Sequence, residues 1–419
     1  VDDIIYDWNV LGNADRAPKL RWPDIHDETL RDGLQSPSVH DPDIDQKMAI
    51  ARLIAKLGVY SISIGLPGAG PRARADAKRL AELVRDEKLP LNLGAACRTH
   101  PNDIRPIVEI SQETGMPVEV MAFLGSSPIR MVTENWEVER LLDLTRDAVR
   151  MGVQNGLPTS FVTEDTTRSS PKTLYRLFAA AVEEGADRLI LCDTVGHSTP
   201  EGVRNLVRWT NDLLIGMGVR DRVRVDYHGH NDRALGLANT LAAIEAGCDR
   251  VHGTMLGIGE RVGNAANDQL MINLKLYGVE TPDLSPLAEL VALVSDVGRW
   301  PIPWNYPVFG RDAFRTATGV HAAAVIKALN RGDTELADRV YSGVPAHWVG
   351  RTQEIDVGPM SGESNVRHWL KSRGLEPHDG LVRAIFDRAK SADDTLLDDE
   401  ILSIVASWRS DDAACLPHT

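Results

Sequence analysis

His228 and His230 stand two positions apart in the run His228-Gly229-His230-Asn231-Asp232. Side chains at i and i+2 of an extended segment project to the same side, so both rings can reach one ion. A carboxylate that completes such a set occurs far away in the chain, as Asp32 in Thr29-Leu30-Arg31-Asp32-Gly33. A glycine-rich run, Gly257-Ile258-Gly259-Glu260-Arg261-Val262-Gly263-Asn264, adds the side-chain oxygen of Asn264. Aspartate, two histidines and an asparagine oxygen make a mixed, rather hard ligand set that suits Mg2+, Mn2+ or Zn2+ with positions left open for substrate. The cysteines, Cys97, Cys192, Cys248 and Cys415, show no CxxC spacing, which argues against a thiolate zinc site and against a disulfide framework.

Residues so far apart need a scaffold that gathers them. Short apolar or β-branched segments recur at Asp24–Asp27, Ser61–Leu66, Leu91–Ala96, Val118–Leu124, Thr159–Thr163, Arg188–Asp193, Arg222–Tyr227 and Arg250–Met255. Amphipathic helical patterns lie between them: Ile50, Leu53, Ile54 and Leu57 share one face before Gly58, and Leu237, Leu241 and Ile244 do so before Gly247. Thr199-Pro200 reads as an N-cap followed by proline at the first helical position. This alternation predicts a (β/α)8 TIM barrel over 20–280, in which all strand ends converge on one face. An open doubly wound sheet competes, but no Gly-x-Gly-x-x-Gly turn opens the first helix. Over 281–419 the alternation ceases, and helical patterns at Leu287–Trp300, Val320–Leu329, Asn365–Arg373, Gly380–Ser391 and Asp398–Trp408 predict a mostly helical C-terminal region.

The composition, 43% hydrophobic and 25% charged over 419 residues, is that of a globular enzyme. No apolar run approaches the roughly 18 residues of a membrane span, and Val1-Asp2-Asp3-Ile4 lacks the basic-then-apolar order of a signal peptide. A cytoplasmic protein is therefore expected. The net charge of -14 disfavours nucleic acid as a partner.

The runs Asp27-Glu28-Thr29-Leu30-Arg31-Asp32-Gly33-Leu34-Gln35, His228-Gly229-His230-Asn231-Asp232 with Asn239, and Gly257 to Ala265 resemble the signatures of the 2-isopropylmalate, homocitrate and citramalate synthases. These belong to a metal-dependent Claisen-condensing family on a TIM barrel that also includes 3-hydroxy-3-methylglutaryl-CoA lyase. Further similarity runs through Phe161-Val162-Thr163-Glu164-Asp165 with Arg168, Asp193-Thr194-Val195-Gly196, and Phe309-Gly310-Arg311-Asp312-Ala313-Phe314 leading to His321. The resemblance implies condensation of acetyl-CoA with a 2-oxo acid to a 2-substituted malate. Asp32, His228, His230 and Asn264 would hold the metal. Arg31 would stabilise the oxygen that becomes an alkoxide, and Gln35 and Thr194 would bind substrate. Proton removal from the acetyl methyl group needs a base, for which the resemblance offers His321 and Glu164, with Tyr341 a weaker participant. It also implies a homodimer, with His321 serving its own or a partner's site.

Two departures bear on the substrate. Ser127-Pro128-Ile129-Arg130 replaces the Ser-x-x-His of isopropylmalate synthases, and Ser63 stands where relatives often carry glutamate. An added guanidinium and a lost carboxylate predict a more electropositive pocket, and so an oxo acid with a second anionic group. No separate leucine-type regulatory domain is expected in 281–419. The alternatives are a lyase-like retro-Claisen cleavage of a hydroxyacyl-CoA, disfavoured by the absence of cysteine from Gly259 to Gly263, and a catalytically silent barrel acting as a binding subunit.

Overall fold

The structure, a computed structural model, describes residues 4–11 and 20–414. Eight strands form a closed parallel barrel: β1 (Asp24–Asp27), β2 (Ser61–Ser63), β3 (Asn92–Arg98), β4 (Val118–Gly125), β5 (Thr159–Glu164), β6 (Arg188–Asp193), β7 (Arg224–Gly229) and β8 (Arg250–Gly253). The seam closes between β8 and β1, with Asp24 opposite Arg250 and Asp27 opposite Gly253. This is the expected TIM barrel.

The connecting helices form for reasons written locally. Asp43 accepts from the Gln46 N–H and the Gln46 side chain returns to the Asp43 N–H, a capping box that starts the helix Ile44–Lys56. Ile50, Leu53 and Ile54 are its buried face, and Gly58 beyond it adopts φ +66°, where a side chain is strained. Thr199 caps Pro200–Gly216 by accepting from the Gly202 N–H at 3.2 Å.

Charge fills the barrel's interior where aliphatic layers are usual. Arg250 on β8 is fully buried. Its Nε donates to Asp226 Oδ2 on β7 at 2.6 Å, and Nη1 and Nη2 each reach Glu119 on β4 at 2.7 Å. Arg188 on β6 donates to the other Asp226 oxygen at 2.9 Å. A bidentate pair with its lone pairs satisfied is what makes such burial tolerable.

The chain groups into two compact units that divide between Pro301 and Ile302. The second carries the helices Gly319–Asn330, Thr334–Arg339, Glu363–Ser372, Asp379–Lys390 and Asp398–Ala414, plus two-residue strands Arg315–Thr316 and Glu354–Ile355 paired in parallel. Val366, Trp369, Leu370, Leu381 and Ile385 form its main apolar core. Among the described residues no helix is long and apolar enough to cross a membrane. Cys97, Cys192 and Cys248 are buried and unpaired, and Cys415 lies outside the described residues.

Candidate active site

Asp32 sits in the turn that follows β1, and that turn is pinned from three sides. The Glu28 N–H donates to Gly253 O at 2.8 Å, the Gly33 N–H to Glu28 O at 3.1 Å, and the Met255 N–H to Thr29 Oγ1 at 2.9 Å. His228 lies on β7, and His230, one residue beyond the strand, bridges to Asn264. The consequence is convergence. His228 Nε2 is 3.2 Å and His230 Nε2 3.5 Å from Asp32 Oδ2, and the two nitrogens are 3.2 Å apart.

The loop that delivers Asn264 depends on glycine at two points. Gly263 has φ +89°, and a Cβ there would fall 1.8 Å from Gly257 O. At Gly259 a Cβ would fall 2.2 Å from Asn264 Nδ2 and 3.3 Å from Asp32 Oδ1, so only glycine lets these two side chains share the space. Asn264 donates through Nδ2 to Ile258 O at 3.1 Å. Its Oδ1 is buried without a partner, as are Asp32 Oδ1 and His230 Nδ1. Buried acceptors are rarely left unpaired, and two orphaned oxygens beside two converging imidazole nitrogens fit a divalent cation held by Asp32, His228, His230 and Asn264.

The electrostatics agree with that donor set. Burial would raise the Asp32 carboxyl, but Arg31 and the His228 hydrogen bond outweigh it and hold it far below the usual carboxylate range. Burial, reinforced by His228, pushes His230 down to about 4, so its ring is neutral and able to ligate. Arg31 is kept charged by Glu28, which accepts from Nε at 2.5 Å, and by Asp32, 3.5 Å from Nη2.

A cavity of about 200 Å³ opens over these groups. Its wall includes Arg31, Asp32, Gln35, Glu164, Thr194, His228 and His230. The opposite side is apolar, from Ala96, Met121, Phe123, Val162 and Ile190. Arg31 and Gln35 also line a larger neighbouring hollow of about 420 Å³. Burial raises the Glu164 carboxyl, and the Arg130 charge opposes that rise. Thr194 Oγ1 accepts from the Asp165 N–H at 2.8 Å, which leaves its own hydroxyl hydrogen to donate.

Other sequence candidates fall elsewhere. Arg130 does not line this cavity: it pairs with Glu134 at 3.0 Å, stacks on Trp136, and lines an adjoining surface hollow that shares Glu164 and Thr194 with the cavity. Ser63 is fully buried on β2, and its hydroxyl has no partner. His321 and Tyr341 belong to the second unit, where their rings lie 4.2 Å apart, both exposed. Glu28, Asp32, Glu164 and Glu260 line the cavity with Arg31 as its one guanidinium; Glu28 stands one residue past the end of β1.

Glu28, His26 and His252 are the residues that motif reading passed over. All three are buried within ligand reach of one another. The signal was partial: Glu28, one residue past β1, follows His26 by two positions, the period that sends both to one face.

Comparisons with known proteins place the chain in a family. A family model described as HMGL-like matches residues 23–294. The chain is 32% identical over 376 residues to the homocitrate synthase AksA of Methanopyrus kandleri, covering 88% of this chain and 87% of that one. It is 30% identical over 405 residues to the 2-isopropylmalate synthase of Shouchella clausii, covering 94% and 74%. Among solved structures, the hydroxymethylglutaryl-CoA lyase from Pseudomonas aeruginosa superposes with a TM-score of 0.54 at 18% identity, covering 67% of this chain and 93% of that one, a likeness of fold. This chain belongs to the HMGL-like family.

Proposed function

We propose that this chain is a metal-dependent acyltransferase that condenses acetyl-CoA with a 2-oxo acid, releasing CoA and a 2-substituted malate. The observation that carries the reading is the meeting of Asp32, His228 and His230 at one end of the barrel, with the orphaned oxygens of Asp32 and Asn264 beside them. Relatives at 30–32% identity over most of the chain are named homocitrate and 2-isopropylmalate synthases, which supports synthesis over cleavage. A divalent cation held by Asp32, His228, His230 and Asn264 would supply Lewis-acid polarisation of the ketone.

The chain's own residues do the rest. Arg31, fixed by Glu28 at Nε, presents its remaining N–H donors where negative charge develops on the ketone oxygen. Thr194 donates its hydroxyl hydrogen to the substrate carboxylate, and Gln35 orients the acid from the same wall. A base removes a proton from the acetyl methyl group, whose carbon then bonds to the ketone carbon; hydrolysis of the thioester frees CoA. Glu164, raised by burial, is the barrel's candidate for that base, and His321 with Tyr341 are the second unit's. The narrower expectation of a second anionic group on the oxo acid rests on Arg130. A cytoplasmic homodimer belongs to the same reading.

The test is to incubate metal-loaded protein with acetyl-CoA and pyruvate, 2-oxoisovalerate, 2-oxoglutarate, oxaloacetate or phosphonopyruvate, and to follow free thiol. Thiol release with at least one acid supports the reading. Release with none, together with cleavage of a hydroxyacyl-CoA, overturns it in favour of a lyase.

A further inference from the structure

Beneath the proposed catalytic site, across the seam where the barrel closes, lies a second cluster of two imidazoles and a carboxylate. His26 on β1 and His252 on β8 are register partners, and Glu28 follows His26 by two positions. All three side chains therefore face the barrel interior, and all three are almost wholly buried. Glu28 Oε1 is 3.6 Å from His26 Nε2 and 3.4 Å from His252 Nδ1.

We infer that His26, Glu28 and His252 form a second divalent-metal site, distinct from the one at Asp32, His228 and His230. The spacing is the first reason. A contact of 3.6 Å is too long for a hydrogen bond, yet two atoms each about 2.1 Å from one ion at the tetrahedral angle lie about 3.4 Å apart. The ligand atoms of the first cluster show the same separations, 3.2 and 3.5 Å.

The outer partners are the second reason. Metal-bound histidines and carboxylates are oriented by hydrogen bonds at their far atoms. Here His252 Nε2 meets Asp226 Oδ2 at 3.3 Å, His26 Nδ1 meets Ser61 Oγ at 2.7 Å, and Glu28 Oε2 accepts from Arg31 Nε at 2.5 Å. Each far atom is anchored and each near atom turns inward. His26 Nε2, in a fully buried side chain, has no hydrogen-bond partner. Glu28 and His252 also line the 200 Å³ cavity, which gives an ion a way in.

Two nitrogens and one oxygen select a borderline transition ion such as Zn2+, Mn2+ or Fe2+ over Ca2+ or Mg2+, which favour oxygen. Because its ligands come from both β1 and β8, this ion would tie the barrel's closing seam.

The experiment counts and locates ions. Protein stripped with chelator is titrated with Zn2+ by calorimetry, counted by plasma mass spectrometry after desalting, and crystallised for anomalous diffraction at the zinc edge. Two ions per chain are expected, with anomalous peaks between Asp32, His228 and His230 and between His26, Glu28 and His252. His26→Gln is expected to bind one ion at the first cluster, and Asp32→Asn to bind one at the second. One ion per chain in the wild type, no ion, or a second peak elsewhere would overturn the inference. Should His26→Gln fail to fold, the wild-type anomalous map decides alone.

Discussion

Glu164 is the last residue of β5. Burial lifts its carboxyl above the usual glutamate range, Arg130 pulls it back, and Glu260 pushes it further up. If Glu164 is the base, the acidic limb of kcat/KM lies above the ordinary carboxylate range, since the limb reports the free enzyme's base. Removing the positive charge removes the opposing pull. Arg130→Ala therefore moves that limb to higher pH, whereas Glu260→Gln moves it lower; pH–rate profiles of the three proteins check both directions. Opposite shifts identify Glu164, and no shift in either variant assigns the limb to another group. At this scale Asp32, His228 and His230 were legible in the sequence because residue type and the i, i+2 spacing already define a ligand set. Glu28 was not, because its spacing from His26 acquires meaning only through His252 across the seam; it also clamps Arg31.

Strands set what the interior can tolerate. Arg250 holds Asp226 and Glu119 together across β8, β7 and β4, and its charge is the first to offset the burial of both carboxylates, with Arg188 behind it. Arg250→Met should cost about 3–5 kcal/mol, the penalty for stranding buried charges, and chemical denaturation monitored by circular dichroism measures it. Near the entry to β6, burial, aided by the Glu119 charge, raises Asp187 from 3.8 to about 6. A carboxyl whose folded value lies above its unfolded one favours the folded state fully below about 3.8, and that contribution disappears as pH rises through about 6. Asp187→Asn should consequently raise stability by about 1–2 kcal/mol at pH 8 and change it little at pH 4. Denaturation midpoints at the two pH values give the comparison. The strands themselves were readable, β1 and β6 to the residue, because short β-branched runs bounded by turn residues leave few alternatives. The interior salt-bridge layer was not readable, since Glu119, Asp226 and Arg250 become neighbours only through the register of three strands. The two-residue strands Arg315–Thr316 and Glu354–Ile355 carry too little pattern to stand out.

Over the whole molecule, the two compact units divide the proposed chemistry. The barrel closes its own hydrogen-bond ladder, and helices with their own caps surround it. It also contains Asp32, His228 and His230, the first candidate metal cluster, together with Arg31, Glu164 and Thr194. His321 and Tyr341 lie in the second unit, stacked on each other. A chain ending at Pro301 should thus fold cooperatively, bind a divalent cation with the affinity of the full chain, and bring the two candidate bases into competition. If Glu164 suffices, thiol release from acetyl-CoA persists in the fragment. If His321 supplies the base or holds the thioester, release falls by a factor of roughly 10²–10⁴, the range for losing a general base, and His321→Ala in the full chain loses a similar factor with metal affinity unchanged. We expect the first result, because burial and the Glu260 charge raise the Glu164 carboxyl and so strengthen it as a base. Calorimetric metal binding beside the thiol assay separates a broken site from a missing base.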